Sequence, residues 1–303
     1  LVSFILFLFL FSIHSVLAVY ISSCQTLNSP NTVYTLTQNV SSNETCFTIQ
    51  ANNVTLDCNG YTIYYANSSS GNNYYGIYIN GYNNATIKNC NIQQANSAVS
   101  YAHGIHFGSN SYNNVTNVWI NATGYWSHGL YLYYSSNNTF SNNNITSTNP
   151  RGIYLYYSSS NTFSNNTITS TGGLGAYLYY SSYNTFSNNT ITANYDGAYL
   201  RYSSNNTFSN NNITSTNSFG AVLESSSNYN TFSNNNITST NSYGALLESS
   251  SSNTFSNNII KSITSYSLYL QGSSSNLIYN NLLNGSTTPV YISSGSNFWN
   301  TTL

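Results

Sequence analysis

The chain has 303 residues with only four Lys or Arg and five Asp or Glu, a charge density far below the roughly 25% of an ordinary soluble domain. No basic stripe is present that could neutralise a phosphate backbone, which argues against nucleic acid as a partner. Disorder is excluded as well, because 31 Tyr and 14 Phe give the chain a core to bury.

Residues 1–18 are an apolar run ending Val16-Leu17-Ala18, with small side chains where a signal peptidase reads. The run reads as a secretory leader without its initiating Met and positive flank. A membrane anchor is the competing reading, but about 18 apolar residues are marginal for a span. The mature chain, 19–303, is therefore expected to be secreted or at the cell surface, with no membrane span of its own.

All four cysteines, Cys24, Cys46, Cys58 and Cys90, fall in the first third of the chain. Of the three pairings open to them, Cys24 with Cys46 and Cys58 with Cys90 is preferred, because each bridge would join neighbouring turns of the fold within the ~7 Å reach of a disulfide. No Cys-x-x-Cys spacing supports metal ligation. An oxidising compartment is implied.

Residues 19–125 carry irregular units and 126–303 regular ones. In the first part, Val54-Thr55-Leu56-Asp57-Cys58 and Ala85-Thr86-Ile87-Lys88-Asn89-Cys90 share a strand-then-turn pattern. The steps from Leu56 to Ile87, Val115 and Phe140 are 31, 28 and 25 residues, so insertions such as 66–75 should leave as loops. In the second part Asn138-Thr139-Phe140-Ser141-Asn142 returns around Phe163, Phe186, Phe208, Phe232 and Phe255, at steps of 23, 23, 22, 24 and 23 residues. That is a solenoid period. The apolar runs inside each unit alternate and are too short for helices, which predicts strands.

The fold expected is all-β: a single right-handed parallel β-helix of about ten coils, each about 23 residues with three short strands. Stacking puts Phe140 under Phe163 and its successors, and Ile145 under Ile168, Ile191, Ile213, Ile237 and Ile260. Two residues past each Phe, Asn142, Asn165, Asn188, Asn210, Asn234, Asn257 and Asn280 form a file expected to be an asparagine ladder at a turn. Its bland alternative is the ordinary turn preference of Asn. The last coil, Pro289-Val290-Tyr291-Ile292 and Asn297-Phe298-Trp299-Asn300, has no polar cap after it, which implies a covering segment or end-to-end self-association.

Val54-Thr55-Leu56-Asp57-Cys58-Asn59-Gly60-Tyr61-Thr62-Ile63, the repeated Asn-Thr-Phe-Ser-Asn-Asn and Ser296-Asn297-Phe298-Trp299-Asn300 resemble right-handed parallel β-helix repeat proteins. Within them the chain is similar to the NosD-like, carbohydrate-binding and sugar-hydrolase-type group, many of them secreted or cell-surface proteins of archaea and bacteria. The likeness runs from Cys24 to the end. It implies the fold and leaves activity open, since the group spans polysaccharide lyases, hydrolases, epimerases, adhesins and proteins linked to copper-enzyme maturation.

Chemistry is sparse. Outward positions on one strand give Tyr78, His106, Tyr131, Tyr154, Tyr177 and Tyr199 in one file, resuming at Tyr269 and Tyr291 after Val222 and Leu246, and Tyr133, Tyr156 and Tyr179 in a second, a face that glycans could meet ring on ring, or that simply steadies a sheet. Further along, Arg201 should sit beside Glu224 and Glu224 beside Glu248, with Asp196 before the glycine of the Arg201 coil. Paired carboxylates can divide acid and base work or hold calcium, and a surface salt bridge is the plainer reading. His103 and His128 should stack, with His106 three residues on and expected to face the other way. Three imidazoles could take copper or zinc, and isolated surface histidines are the plainer reading. Asn39, Asn43, Asn53, Asn67, Asn84, Asn121, Asn144, Asn212 and Asn236 head glycosylation sequons.

The leading expectation is a non-catalytic extracellular solenoid: a spacer, adhesin or envelope component, N-glycosylated and touching glycans or other cell-surface components. The alternative is a carbohydrate-active enzyme of lyase, hydrolase or epimerase type using Asp196, Arg201, Glu224 and Glu248. A copper-linked accessory role is the third. No cofactor is required by the first reading.

Overall fold

The computed structural model describes residues 17–68, 71–286 and 288–300. The described strands form three parallel sheets of 13, 12 and 11 strands, and neighbours in each sheet come from successive coils. One coil runs Leu130–Tyr133, Thr139–Ser141 and Asn144–Ser147 before Arg151–Tyr156 opens the next. The solenoid thus has about a dozen coils, not about ten. The surplus lies in the irregular first part, where strands such as Gln25–Leu27 and Val40–Ser41 are too short for alternation to reveal.

The expected registers hold. Phe140 pairs with Phe163 and Phe163 with Phe186, with ring centroids 4.7 and 4.5 Å apart. Ile145 pairs with Ile168, and all of these side chains are buried. Each buried Phe withdraws enough apolar surface to contribute up to roughly 3 kcal/mol. A single coil has no such core, because the faces of its rings are covered only by the coils above and below.

The asparagine ladder exists, but one residue further along than expected. Asn142, Asn165, Asn188, Asn210, Asn234, Asn257 and Asn280 are exposed turn residues with φ between 54° and 56°, a left-handed conformation that Asn tolerates. That turn sends the next side chain inward. Asn166 Nδ2 donates to Asn189 Oδ1 and to the Phe140 carbonyl, and Asn166 Oδ1 accepts from both Nδ2 and the backbone N–H of Asn143, every bond 3.0 Å. A second ladder, from Asn138 through Asn161 and Asn184 to Asn206, lines the turn before the Phe strands. A serine file runs beside it, with the Ser135 N–H donating to Ser158 Oγ and the Ser158 N–H to Ser181 Oγ. These carboxamides and hydroxyls satisfy backbone groups that the turns would otherwise bury unpaired.

Both expected disulfides form, Cys24–Cys46 with Cα atoms 4.6 Å apart and Cys58–Cys90 with 4.7 Å. Lys88 and Asp57 add an ion pair of 3.1 Å beside the second bridge. Such bridges belong to an oxidising, extracytoplasmic compartment. The leader expected over 1–18 lies outside the described residues up to position 16, and Leu17 and Ala18 pair with Thr32 and Val33 in a strand. Among the described residues no helix is long and apolar enough to cross a membrane.

Candidate functional site: the tyrosine face

The sheet that contains Arg151–Tyr156 presents its polar side to solvent. Alternation buries Ile153 and Leu155 and turns Tyr154 and Tyr156 outward. Tyr131, Tyr154, Tyr177 and Tyr199 stand in register with centroids 5.1, 5.2 and 4.9 Å apart. Tyr133, Tyr156 and Tyr179 form the second expected file, at 5.5 and 5.6 Å.

A third file went unread in the sequence: Tyr134, Tyr157, Tyr180 and Tyr202, at 5.0, 4.8 and 4.6 Å. These residues follow the strand in the left-handed conformation, φ 49–52°, which keeps them on the same outer side as the preceding tyrosine. The doublets Tyr133-Tyr134, Tyr156-Tyr157 and Tyr179-Tyr180 were the signal. This file is exposed along its whole length, each residue keeping 37–49% of its surface, whereas in the second file only Tyr133, at 40%, is as open. Across the files the rings meet nearly edge to face, as Tyr133 does with Tyr134.

The files correct one expectation. Within each file the faces of the rings are turned to one another, so a polymer lying along them meets ring edges and phenol hydroxyls more than open faces. Recognition there rests on hydrogen bonding with apolar edge contact.

At its far end the face becomes charged. Tyr199 donates its phenol hydrogen to Glu224 Oε2, Ser225 Oγ donates to Oε1 at 3.2 Å, and Arg201 Nε lies 3.6 Å from that oxygen. The expected ion pair is present, and Tyr199 joins it. Glu248 follows Glu224 in register, but Glu224 directs its oxygens to Tyr199, Ser225 and Arg201. Asp196 accepts the Phe219 N–H at 3.1 Å, and burial pushes its carboxyl above the usual range, with Glu224 adding to the rise. The four acidic and basic candidates therefore divide into an Arg201–Glu224 pair, a half-buried Asp196 and an adjacent Glu248.

At the near end the histidines depart from expectation. His103 and His128 stack at 4.7 Å and 6° as read, but each is only 5% exposed, so they are not surface residues. His106 does not face away: its ring lies 5.7 Å from His103 and 4.8 Å from Tyr131. The strand starts with His103-Gly104, and Gly104 is packed so closely that a Cβ there would lie 2.6 Å from the Gly129 carbonyl oxygen. That local irregularity breaks simple alternation. Burial holds all three imidazoles neutral, His106 down to about 4 and the other two well below their usual range. Among the described residues no group of three or more His, Cys, Asp or Glu side chains is placed to hold a metal ion.

Of the sequon asparagines, Asn39, Asn43, Asn53, Asn67, Asn84, Asn144, Asn212 and Asn236 are exposed and Asn121 is half-buried. Asn53 and Asn236 spend Nδ2 on neighbouring coils, at 3.0 Å to Asn31 and 3.1 Å to Asn212.

The profile described as "right handed beta helix region" matches residues 27–182 and 151–303. No curated protein sequence matches the chain. Among solved structures, the A-module of the Azotobacter vinelandii mannuronan C-5 epimerase AlgE4 is similar at 15% identity and TM-score 0.66, covering 92% of this chain and 90% of that one. A DFA-IIIase from Arthrobacter chlorophenolicus A6 is similar at 12% identity and TM-score 0.53, covering 88% and 83%. The tailspike gp49 of Acinetobacter baumannii bacteriophage Fri1, a capsular polysaccharide depolymerase, is similar at 12% identity and TM-score 0.53, covering 92% and 57%. At these identities the likeness is one of fold.

Proposed function

Because this chain belongs to the right-handed beta helix family, whose fold also carries carbohydrate-active enzymes, we propose that it is a non-catalytic extracellular solenoid that binds a glycan along its tyrosine face. The observation that carries the reading is the exposed file Tyr134, Tyr157, Tyr180 and Tyr202, which lays phenol groups along the solenoid at one per coil. The buried Phe, Ile and Leu files already supply the core, which leaves these exposed phenol groups open to a ligand. Secretion and N-glycosylation at exposed asparagines such as Asn67 and Asn144 complete the proposal, the sugar coat replacing the solubility that charge does not provide.

A glycan array with the folded chain tests the reading. Binding that falls in Tyr157→Ala and Tyr180→Ala, with unfolding temperature retained, supports it. Loss of no binding in either variant, or binding to no glycan, counts against it.

One observation favours an enzyme as the second reading: Asp196, raised by burial, stands near the Glu224 carboxylate and its Tyr199 and Arg201 partners, a division that suits acid and base roles. Polysaccharide cleavage or epimerisation abolished by Asp196→Asn or Glu224→Gln would replace the first reading with this one.

A further inference from the structure

Arg151 is the one cation of the tyrosine face without a carboxylate. The ion pairs among the described residues are Lys88–Asp57 and Arg201–Glu224, and Arg151 Nε finds no hydrogen-bond acceptor. Its guanidinium carbon lies 4.4 Å from the Tyr154 ring centroid, 4.8 Å from that of Tyr177 and 5.6 Å from that of Trp126. Aromatic faces compensate part of the hydration that the group gives up, but they accept nothing from its N–H groups. A half-buried guanidinium is normally paired, because unpaired charge is expensive to bury.

What surrounds it is suited to a sugar that carries a charge. Arg151 follows His128 at the start of its strand, and the neutral imidazoles of His103 and His128 neither compete for an anion nor supply one. On the adjacent turn Trp126 lies parallel to Tyr101 at 6.4 Å and edge-on to Tyr125 at 5.7 Å, and Tyr101 and Tyr125 are 44% and 59% exposed. The cation thus sits between the tyrosine files and a separate aromatic lip. A planar fork of N–H donors matches the two oxygens of a carboxylate, and the lip offers apolar surface to the ring that bears it.

We propose that Arg151, with Trp126, Tyr154 and Tyr177, forms a subsite for the carboxylate of an acidic sugar. This rests on the glycan-binding reading and narrows it to uronate-bearing polysaccharides.

Affinity electrophoresis through gels containing polygalacturonate or its fully methyl-esterified form tests the subsite, since the two polymers share the sugar ring and differ in the charge. The parent chain should bind the acid form at least about tenfold more tightly than the ester, as a charge-assisted contact requires. Arg151→Gln should bind both forms equally weakly and Arg151→Lys should fall between, while Arg151→Gln should melt no lower than the parent because it removes an unpaired charge. Equal binding of acid and ester by the parent, or an undiminished preference in Arg151→Gln, overturns the subsite and leaves the glycan reading standing. Binding to neither polymer, nor to any glycan on the array, overturns both.

Discussion

The backbone N–H of His128 donates to Nδ1 of His103 on the preceding coil, at 3.0 Å. An imidazole here does what a carboxamide or hydroxyl does in the asparagine and serine files: it accepts a turn N–H from the adjoining coil. The bond fixes the neutral tautomer with hydrogen on Nε2 and occupies the nitrogen that a metal would need.

Acid should therefore loosen this part of the solenoid. The folded values of His103, His106 and His128 lie below the ordinary 6.5, so their contribution is complete above about pH 6.5 and is lost as the pH falls toward the folded values, about 4 for His106. Burial is the first cause, and the Arg151 guanidinium beside His103 and His128 adds to it. Asp196 acts in the opposite sense, gaining stability as it protonates, and Asp57 loses it on acidification: although burial raises its carboxyl, hydrogen bonds from Asn59 and Asn89 and the Lys88 charge pull it lower. Unfolding followed between about pH 7 and pH 5 should show stability falling by up to roughly 1.4 kcal/mol per pH unit for each histidine. In the double variant His103→Asn, His128→Asn most of that slope should vanish. A flat profile in the parent contradicts the buried neutral cluster.

Neighbouring asparagines should respond very differently. Asn166→Ala strips a buried donor–acceptor node that serves Asn143, Asn189 and Phe140, at a cost of roughly 2–4 kcal/mol. Asn165→Ala forfeits only a favourable left-handed residue, about 1 kcal/mol, and Asn165→Gly should be close to neutral. Urea unfolding of the three variants checks the order.

Gly152 should tolerate no side chain. A Cβ there would lie 2.6 Å from Ile168 Cγ2 and 2.8 Å from the Gly175 carbonyl oxygen, and the backbone contact cannot relax as a side chain would. Gly152→Ala is expected to lose roughly 1–3 kcal/mol by overpacking, visible as a lower unfolding temperature.

Removing the second bridge should act on one end of the solenoid. Cys58→Ser with Cys90→Ser reopens a 32-residue separation, costing roughly 4 kcal/mol in the loop-closure account. Hydrogen exchange should rise in strands Thr55–Asp57 and Thr86–Lys88 and stay unchanged around Phe208, because coils are stabilised chiefly by their neighbours. Uniform acceleration along the chain would refute that local behaviour.

The sequence by itself determined the stacking. A side chain that recurs every 22 to 24 residues in a chain of short alternating strands can bury itself only against its own copies, so the Phe and Ile files, the first two Tyr files, both disulfides and the Arg201–Glu224 pair could be read from spacing. Tertiary structure decided everything that hangs on a turn. Left-handed residues such as Asn142 and Tyr134 break the two-residue alternation, so periodicity could not say that Asn143, not Asn142, faces inward, or that Tyr134 stays on the outer side with Tyr133. The same limit hid the meeting of His106 with His103 and the company of Arg151: which groups share a site beside Gly104 and Gly152 depends on backbone approach in three dimensions, where a count along the chain carries no information.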